Sequence, residues 1–156
     1  MKLKNLLLAL TLLVSTVALA QEKGDFNGFA GLTYPLESDS NLGITAGVEY
    51  VFANNFSIAP SFTYYFEDQA TLTQLDFDLR YYLGNDNFNF FLTGGLSVVK
   101  ASTDLLGVTI SASETGFAGG VGALISMGDS IDLITVVKYN VELESVIPTV
   151  GLSFGF

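Results

Sequence analysis

From Phe26 onward, apolar residues alternate with polar or small ones at period two, with few interruptions. Successive side chains on a strand point to opposite faces, so the pattern predicts a series of strands that each carry one apolar face. Leu42, Ile44, Ala46, Val48, Tyr50 and Phe52, for instance, oppose Gly43, Thr45, Gly47, Glu49 and Val51. Eight segments read this way: 26–34, 42–52, 56–66, 71–83, 88–100, about 117–125, 131–142 and 146–156. In the fourth, Leu75, Phe77, Leu79, Tyr81 and Leu83 alternate with Gln74, Asp76, Asp78, Arg80 and Tyr82, which puts every charge on one face. A helix could not sort them so. In the last, Pro148, Val150, Leu152, Phe154 and Phe156 share one parity, with Thr149, Gly151, Ser153 and Gly155 on the other.

The connections alternate in character. Ala53–Asn55, Gly84–Asn87 and Ser126–Ser130 are short turns, whereas those after the first, third and fifth strands are acidic or longer. The longest runs from Lys100 to Ser113. Val108 to Ile110 within it are extended in character and Leu106-Gly107 can turn, so a hairpin continuing beyond the main body is expected. Apolar parity is even at Val108, Ile110 and Ala112 but odd from Phe117 to Ile125. That switch predicts a bulge near Ser113 to Thr115 or a change of environment there.

Upstream of the strands, Lys2 and Lys4 precede an apolar run from Leu6 to Ala20 that ends in Ala18-Leu19-Ala20. Such an order is that of a secretory signal peptide cleaved after Ala20, with Ala18 and Ala20 as the small-residue site. The expected organisation is therefore residues 1–20 as signal and 21–156 as one domain. Strands of about 9 to 13 residues suit a tilted crossing of a hydrocarbon core. Inside lipid an open sheet edge leaves amides unsatisfied, so an even number of strands must close on itself. The prediction is an all-β, eight-stranded antiparallel up-and-down transmembrane β-barrel in an outer membrane, with both termini periplasmic. Phe52, Phe56, Tyr81, Phe88, Phe154 and Phe156 would then ring the periplasmic rim, and Tyr34, Tyr64, Phe66, Phe117 and Tyr139 the outer one.

Composition narrows the chemistry. Sixteen acidic residues face six basic ones, and losing Lys2 and Lys4 with the signal leaves a formal charge of −12. Such a surface repels phosphate, so no nucleic-acid partner is expected. Only 14% of residues are charged, 49% are hydrophobic, and there is no Cys and no His. Lipid anchoring through Cys, disulfides and thiolate metal sites are therefore excluded, and no metal or cofactor is expected. Carboxylates spaced like Asp76 and Asp78 could do acid–base work, but any polar inner face yields that spacing, so no enzyme activity is expected.

The inward charges are Glu49, Asp76, Asp78, Arg80 and Lys138, with Asp132 and Glu142 nearer the strand ends. A barrel this narrow is filled by side chains, and buried charges must pair. A plug joining Arg80 and Lys138 to the three carboxylates is expected, with a gated ion path as the functional alternative. A channel for small apolar solutes would need a lateral opening, for which Pro60 and Pro148 are the places where ladder bonds could be missing. A soluble lipocalin-type calyx also has eight strands, but its interior would be apolar and its exterior polar. Loop acids such as Glu67 and Asp68 could hold a divalent cation or bridge to lipopolysaccharide, although solvated acids are the simpler reading.

Strand count, loop asymmetry, signal peptide and the terminal Val150-x-Leu152-x-Phe154-x-Phe156 together resemble the small eight-stranded outer-membrane β-barrel family, typified by the OmpA transmembrane domain and OmpX. The resemblance covers Phe26 to Phe156. It implies that Val150, Leu152, Phe154 and Phe156 form the signal read by the barrel-assembly machinery, and that lipid and lipopolysaccharide are the surroundings of a monomeric barrel. Enzymes of this architecture rely on a catalytic His, by the same resemblance, and this chain has none. The expected role is a structural or surface-interaction one, adhesion or binding through the external 100–113 loop, with a narrow porin-like channel as the alternative.

Overall fold

The computed structural model describes residues 24–37, 41–67, 70–83, 88–105 and 108–156. The expected signal peptide with its Ala18 and Ala20, the Gly84–Asn87 turn, Asp68 and the Leu106-Gly107 turn lie outside them. Eight strands form a closed barrel in chain order: β1 (Phe26–Thr33), β2 (Gly43–Ala53), β3 (Phe56–Tyr65), β4 (Thr71–Tyr82), β5 (Phe88–Leu105), β6 (Val108–Ser126), β7 (Ile131–Asn140) and β8 (Ser145–Gly155). Every neighbouring pair is antiparallel, and β1 pairs β8 from Asn27–Gly155 to Thr33–Thr149 to close the ring. Among the described residues no helix is long and apolar enough to cross a membrane. Strands are the crossing elements.

Burial follows the period-two pattern with its sense inverted relative to a soluble barrel. Phe117, Val121, Phe77 and Phe90 are 67%, 56%, 53% and 53% exposed on the outer face. Glu49, Gln74, Asp76, Asp78, Arg80 and Lys138 are buried inside. Water would make that arrangement costly, since large contiguous apolar patches are rare on soluble proteins. The calyx alternative is thereby overturned. Neighbouring rings line the outside at both ends, with Phe56 4.8 Å from Tyr81 and Phe88 4.5 Å from Phe90 at one, and Tyr64 5.7 Å from Phe66 at the other.

Two ends can be distinguished. One carries both described chain ends, where Gly24 N–H donates to Val51 O and Phe156 N–H to Phe26 O, together with the Asn54-Asn55 turn and the 127–130 connection. The opposite end carries the projecting β5–β6 ribbon. That ribbon is the hairpin expected of Lys100 to Ser113, with both strands longer than the pattern gave: β5 runs on to Leu105, β6 starts at Val108, and their register is continuous from Phe88–Ile125 to Leu105–Val108. No bulge interrupts it at Ser113 to Thr115. The parity switch instead marks the change of environment, since residues 109–115 are exposed on both faces. The register shift falls elsewhere, between Val51 and Ala53. Opposite Pro60 the β2–β3 ladder is interrupted between Gly47–Ser61 and Tyr50–Ile58 with its register unchanged, as a residue without an N–H allows.

β7 ends two residues early, at Asn140. Its side-chain Oδ1 accepts from the N–H groups of Glu142 and Leu143, which turns the chain tightly into β8. Glu142, expected to face the lumen, is exposed in this turn with its side chain lying against Gly116.

Candidate functional site

The inner face of β4 sets the lumen chemistry, because its alternate residues Gln74, Asp76, Asp78, Arg80 and Tyr82 all point inward. Arg80 Nη1 donates to Glu49 Oε2 at 2.9 Å. Its guanidinium lies between two rings, 4.7 Å from the Phe29 centroid and 4.9 Å from that of Phe91, so π-faces cover what solvent otherwise would. Glu49 also accepts from Tyr82 Oη at 2.6 Å and from Ser57 Oγ. Lys138, from β7 across the lumen, reaches Asp76 Oδ2 at 2.6 Å and Asp78 Oδ2 at 3.1 Å. Gln74 Nε2 donates to both oxygens of Asp76, while its own Oε1 accepts from Tyr65 Oη at 2.7 Å.

The structure thus brings Glu49, Asp76, Asp78, Arg80 and Lys138 into one buried layer. Asp132 stays apart, half-buried at the far end, where it accepts from Ser126 Oγ at 2.9 Å.

Parity placed Phe29, Tyr65, Tyr82 and Phe91 inward without assigning them a role. In the folded barrel Tyr82 donates to Glu49 of the charged layer and Tyr65 to Gln74, which in turn donates to Asp76. Phe29, Tyr82 and Phe91 join Ala59, Leu124, Ile134 and Val136 in a buried apolar cluster inside the barrel. Glycines opposite make the room. A Cβ on Gly122 would run into the Phe91 ring, and one on Gly47 into the Phe29 ring.

On the ribbon side the lumen keeps a cavity of about 30 Å³, lined among others by Thr33, Thr45, Ser61, Thr63, Gln74 and Thr149.

A second feature lies outside the barrel wall. β7 covers β6 only as far as Ala118–Asn140, with one further bond from Val141 N–H to Phe117 O. β4 covers β5 out to Thr71–Ser102. From Gly116 to Val108 the ribbon therefore stands clear of β7 over roughly 27 Å, at about 3.4 Å per residue, and the β6 edge from Ile110 to Thr115 is exposed.

A closed, apolar-faced barrel with a polar interior is a transmembrane β-barrel. The chain belongs to the outer membrane protein β-barrel domain family, whose model matches residues 6–146. No curated protein matches. Among solved structures, the chain is similar to the N-terminal β-barrel domain of Pseudomonas aeruginosa OprF, with a TM-score of 0.74 and 14% identity over 87% of this chain and 100% of that one. It is also similar to Pseudomonas aeruginosa OprG, with a TM-score of 0.68 and 14% identity over 88% of this chain and 98% of that one. For Ail, the attachment invasion locus protein of Yersinia pestis, the TM-score is 0.62 at 18% identity over 86% of this chain and 100% of that one. These likenesses carry the fold, and the family places the protein in the outer membrane.

Proposed function

We propose that the barrel is a non-enzymatic surface-interaction protein that captures a partner through the projecting β5–β6 ribbon. The observation that carries this reading is the exposed β6 edge from Ile110 to Thr115, long enough for main-chain pairing with an added strand. In this orientation the termini and short turns face the periplasm, and the ribbon stands outside the cell. Half of the Lys100–Ser113 segment is Ser, Thr or Ala, and its charges are Lys100 and Asp104 alone, so an extended polypeptide of low charge is the favoured partner.

Ail has been crystallised with the heparin analogue sucrose octasulfate. A polyanion of that kind suits this chain poorly, because sixteen acids oppose six bases. Val150, Leu152, Phe154 and Phe156 would serve as the assembly signal for the barrel-assembly machinery, and lipid and lipopolysaccharide would surround a monomer.

Deleting Leu105–Ile110 should leave a folded, heat-modifiable barrel that no longer captures its partner on whole cells. Retained capture would sink the proposal. The ribbon-side cavity supports a second reading as a narrow channel. Planar-bilayer recordings discriminate: steady conductance carried by the barrel would favour the channel over a plug.

A further inference from the structure

The open edge of β6 has a defined order of backbone donors and acceptors. Val141 N–H donates to Phe117 O at 2.9 Å, so the backbone groups of Phe117 turn toward β7. Along a strand alternate residues present their N–H and C=O to the same neighbour, and the residues between them bond β5 through a register unbroken to Val108. Above the last β7 pairing, the N–H and C=O groups of Thr115, Ser113 and Ser111 therefore point away from β5 with no strand beside them.

Its two faces differ as well. Ala118 and Leu124 are buried in the lumen, whereas Phe117 and Val121 are exposed to lipid, so even positions of β6 face the barrel axis. With no bulge between, Glu114, Ala112 and Ile110 continue that axial face above the mouth, and Thr115, Ser113 and Ser111 continue the outward one. Ile110 is left 58% exposed. At the foot of the axial face Gly116 makes room for the Glu142 side chain, which lies where a Cβ would stand. Glu114 and Glu142 thus occupy adjoining positions, and neither is ion-paired among the described residues. Lys100 shares its parity with the lipid-facing Leu96 and lies on the opposite face.

We propose that this edge takes an extended polypeptide segment in the position β7 leaves open, antiparallel to β6, with Lys or Arg opposite Glu114 and apolar side chains opposite Ala112 and Ile110. The inference rests on partner capture by the ribbon and names the chemistry of the partner. Main-chain pairing satisfies the open backbone groups, and an antiparallel strand continues the alternation of the barrel in the stronger of the two pairings. A cation answers two like charges held close together. Because β6 descends toward the membrane, the partner ascends, and its sequence from the N-terminal end reads cation, any, apolar, any, apolar.

The test uses the whole barrel in lipid nanodiscs and the peptide acetyl-Thr-Lys-Thr-Val-Thr-Val-Thr-amide, with binding followed at the barrel's amide NMR signals. An extended peptide has two edges, and N-methyl groups block one of them. Methylating the Lys and Val nitrogens leaves only the edge that sets those side chains opposite Glu114, Ala112 and Ile110. Methylating the Thr nitrogens leaves only the edge that turns Lys and Val to the outward face. The first isomer should bind severalfold more tightly than the second and shift the amides of Ser111, Ser113 and Thr115. Exchanging Lys for Glu in the first isomer should weaken binding severalfold, and Glu114→Lys should reverse that preference. Ser113→Pro removes one N–H from the open edge and none from the β5 ladder. It should abolish binding in a barrel that keeps its heat-modifiable mobility, whereas Ser113→Ala should bind as the unchanged protein does.

Equal binding of the two isomers, or binding of neither, would overturn the proposal, as would equal binding of the Lys and Glu peptides or full binding by Ser113→Pro. Should any of these occur while deletion of Leu105–Ile110 still abolishes capture on whole cells, the ribbon captures its partner by another surface and only the inference about the edge falls. Capture that survives the deletion would remove the capture reading itself.

Discussion

Replacing Arg80 with Met tests whether the charged layer is a cohesive unit. Methionine keeps much of the length and apolar bulk between the Phe29 and Phe91 rings, so the main loss is the cation. Glu49, 1% exposed, then faces no positive group at hydrogen-bond distance, and the formal lumen charge falls from −1 to −2. Removing one member of a buried pair costs about 3–5 kcal/mol. Glu49 keeps two donors, Tyr82 Oη and Ser57 Oγ, which argues for the lower end, about 3 kcal/mol.

Urea unfolding of the barrel in lipid vesicles, read by heat-modifiable gel mobility, measures it. The double change Arg80→Met with Glu49→Gln returns the lumen charge to −1 while leaving an acceptor for Tyr82 and Ser57, and should recover most of the loss. A single substitution within about 0.5 kcal/mol of the unchanged protein, the size expected of an uninvolved surface site, would refute the network. So would a double change that is additive with Glu49→Gln alone.

Leu152 sits on the lipid face between Ala30 and Leu133, and Leu152→Arg should cost about 2–4 kcal/mol in vesicle unfolding. Two glycines separate packing from propensity. Gly122→Ala must displace the Phe91 ring and should cost about 1–3 kcal/mol, whereas a Cβ on Gly94 meets nothing closer than 3.9 Å, so Gly94→Ala should be neutral or stabilising; equal effects would refute the ring argument. Deleting Phe156 should slow assembly in cells more than it lowers the stability of barrels that form. Its ring lies over Gly28 and its N–H reaches Phe26 O, and normal insertion rates without it would remove the assembly role.

Period-two alternation on its own determined that there are eight strands, which face of each meets lipid, and that Glu49, Asp76, Asp78, Arg80 and Lys138 share the interior. Those properties are local: a strand's side chains alternate whatever it pairs with, and closure follows from the cost of a bare edge in lipid. Parity likewise put Ser153 inward, where a polar change is expected to be tolerated. Only the fold reveals that Ser153 is 2% exposed, so its tolerance extends to small residues and not to large ones.

Pairings across the lumen depend on stagger and diameter, which no local pattern records. Lys138 meets Asp76 from 62 positions away, Arg80 lies between rings contributed by β1 and β5, and Gly122 faces Phe91 because β5 and β6 are neighbours in one register. Of the two readings left open at Ser113 to Thr115, a bulge or a change of environment, the structure shows the second. Parity there reported the residues' surroundings, and only the full ladder could separate a changed environment from a changed backbone. The same ladder decided that β6 outruns β7 and leaves an edge exposed, and its hydrogen bonds decided which backbone groups that edge presents.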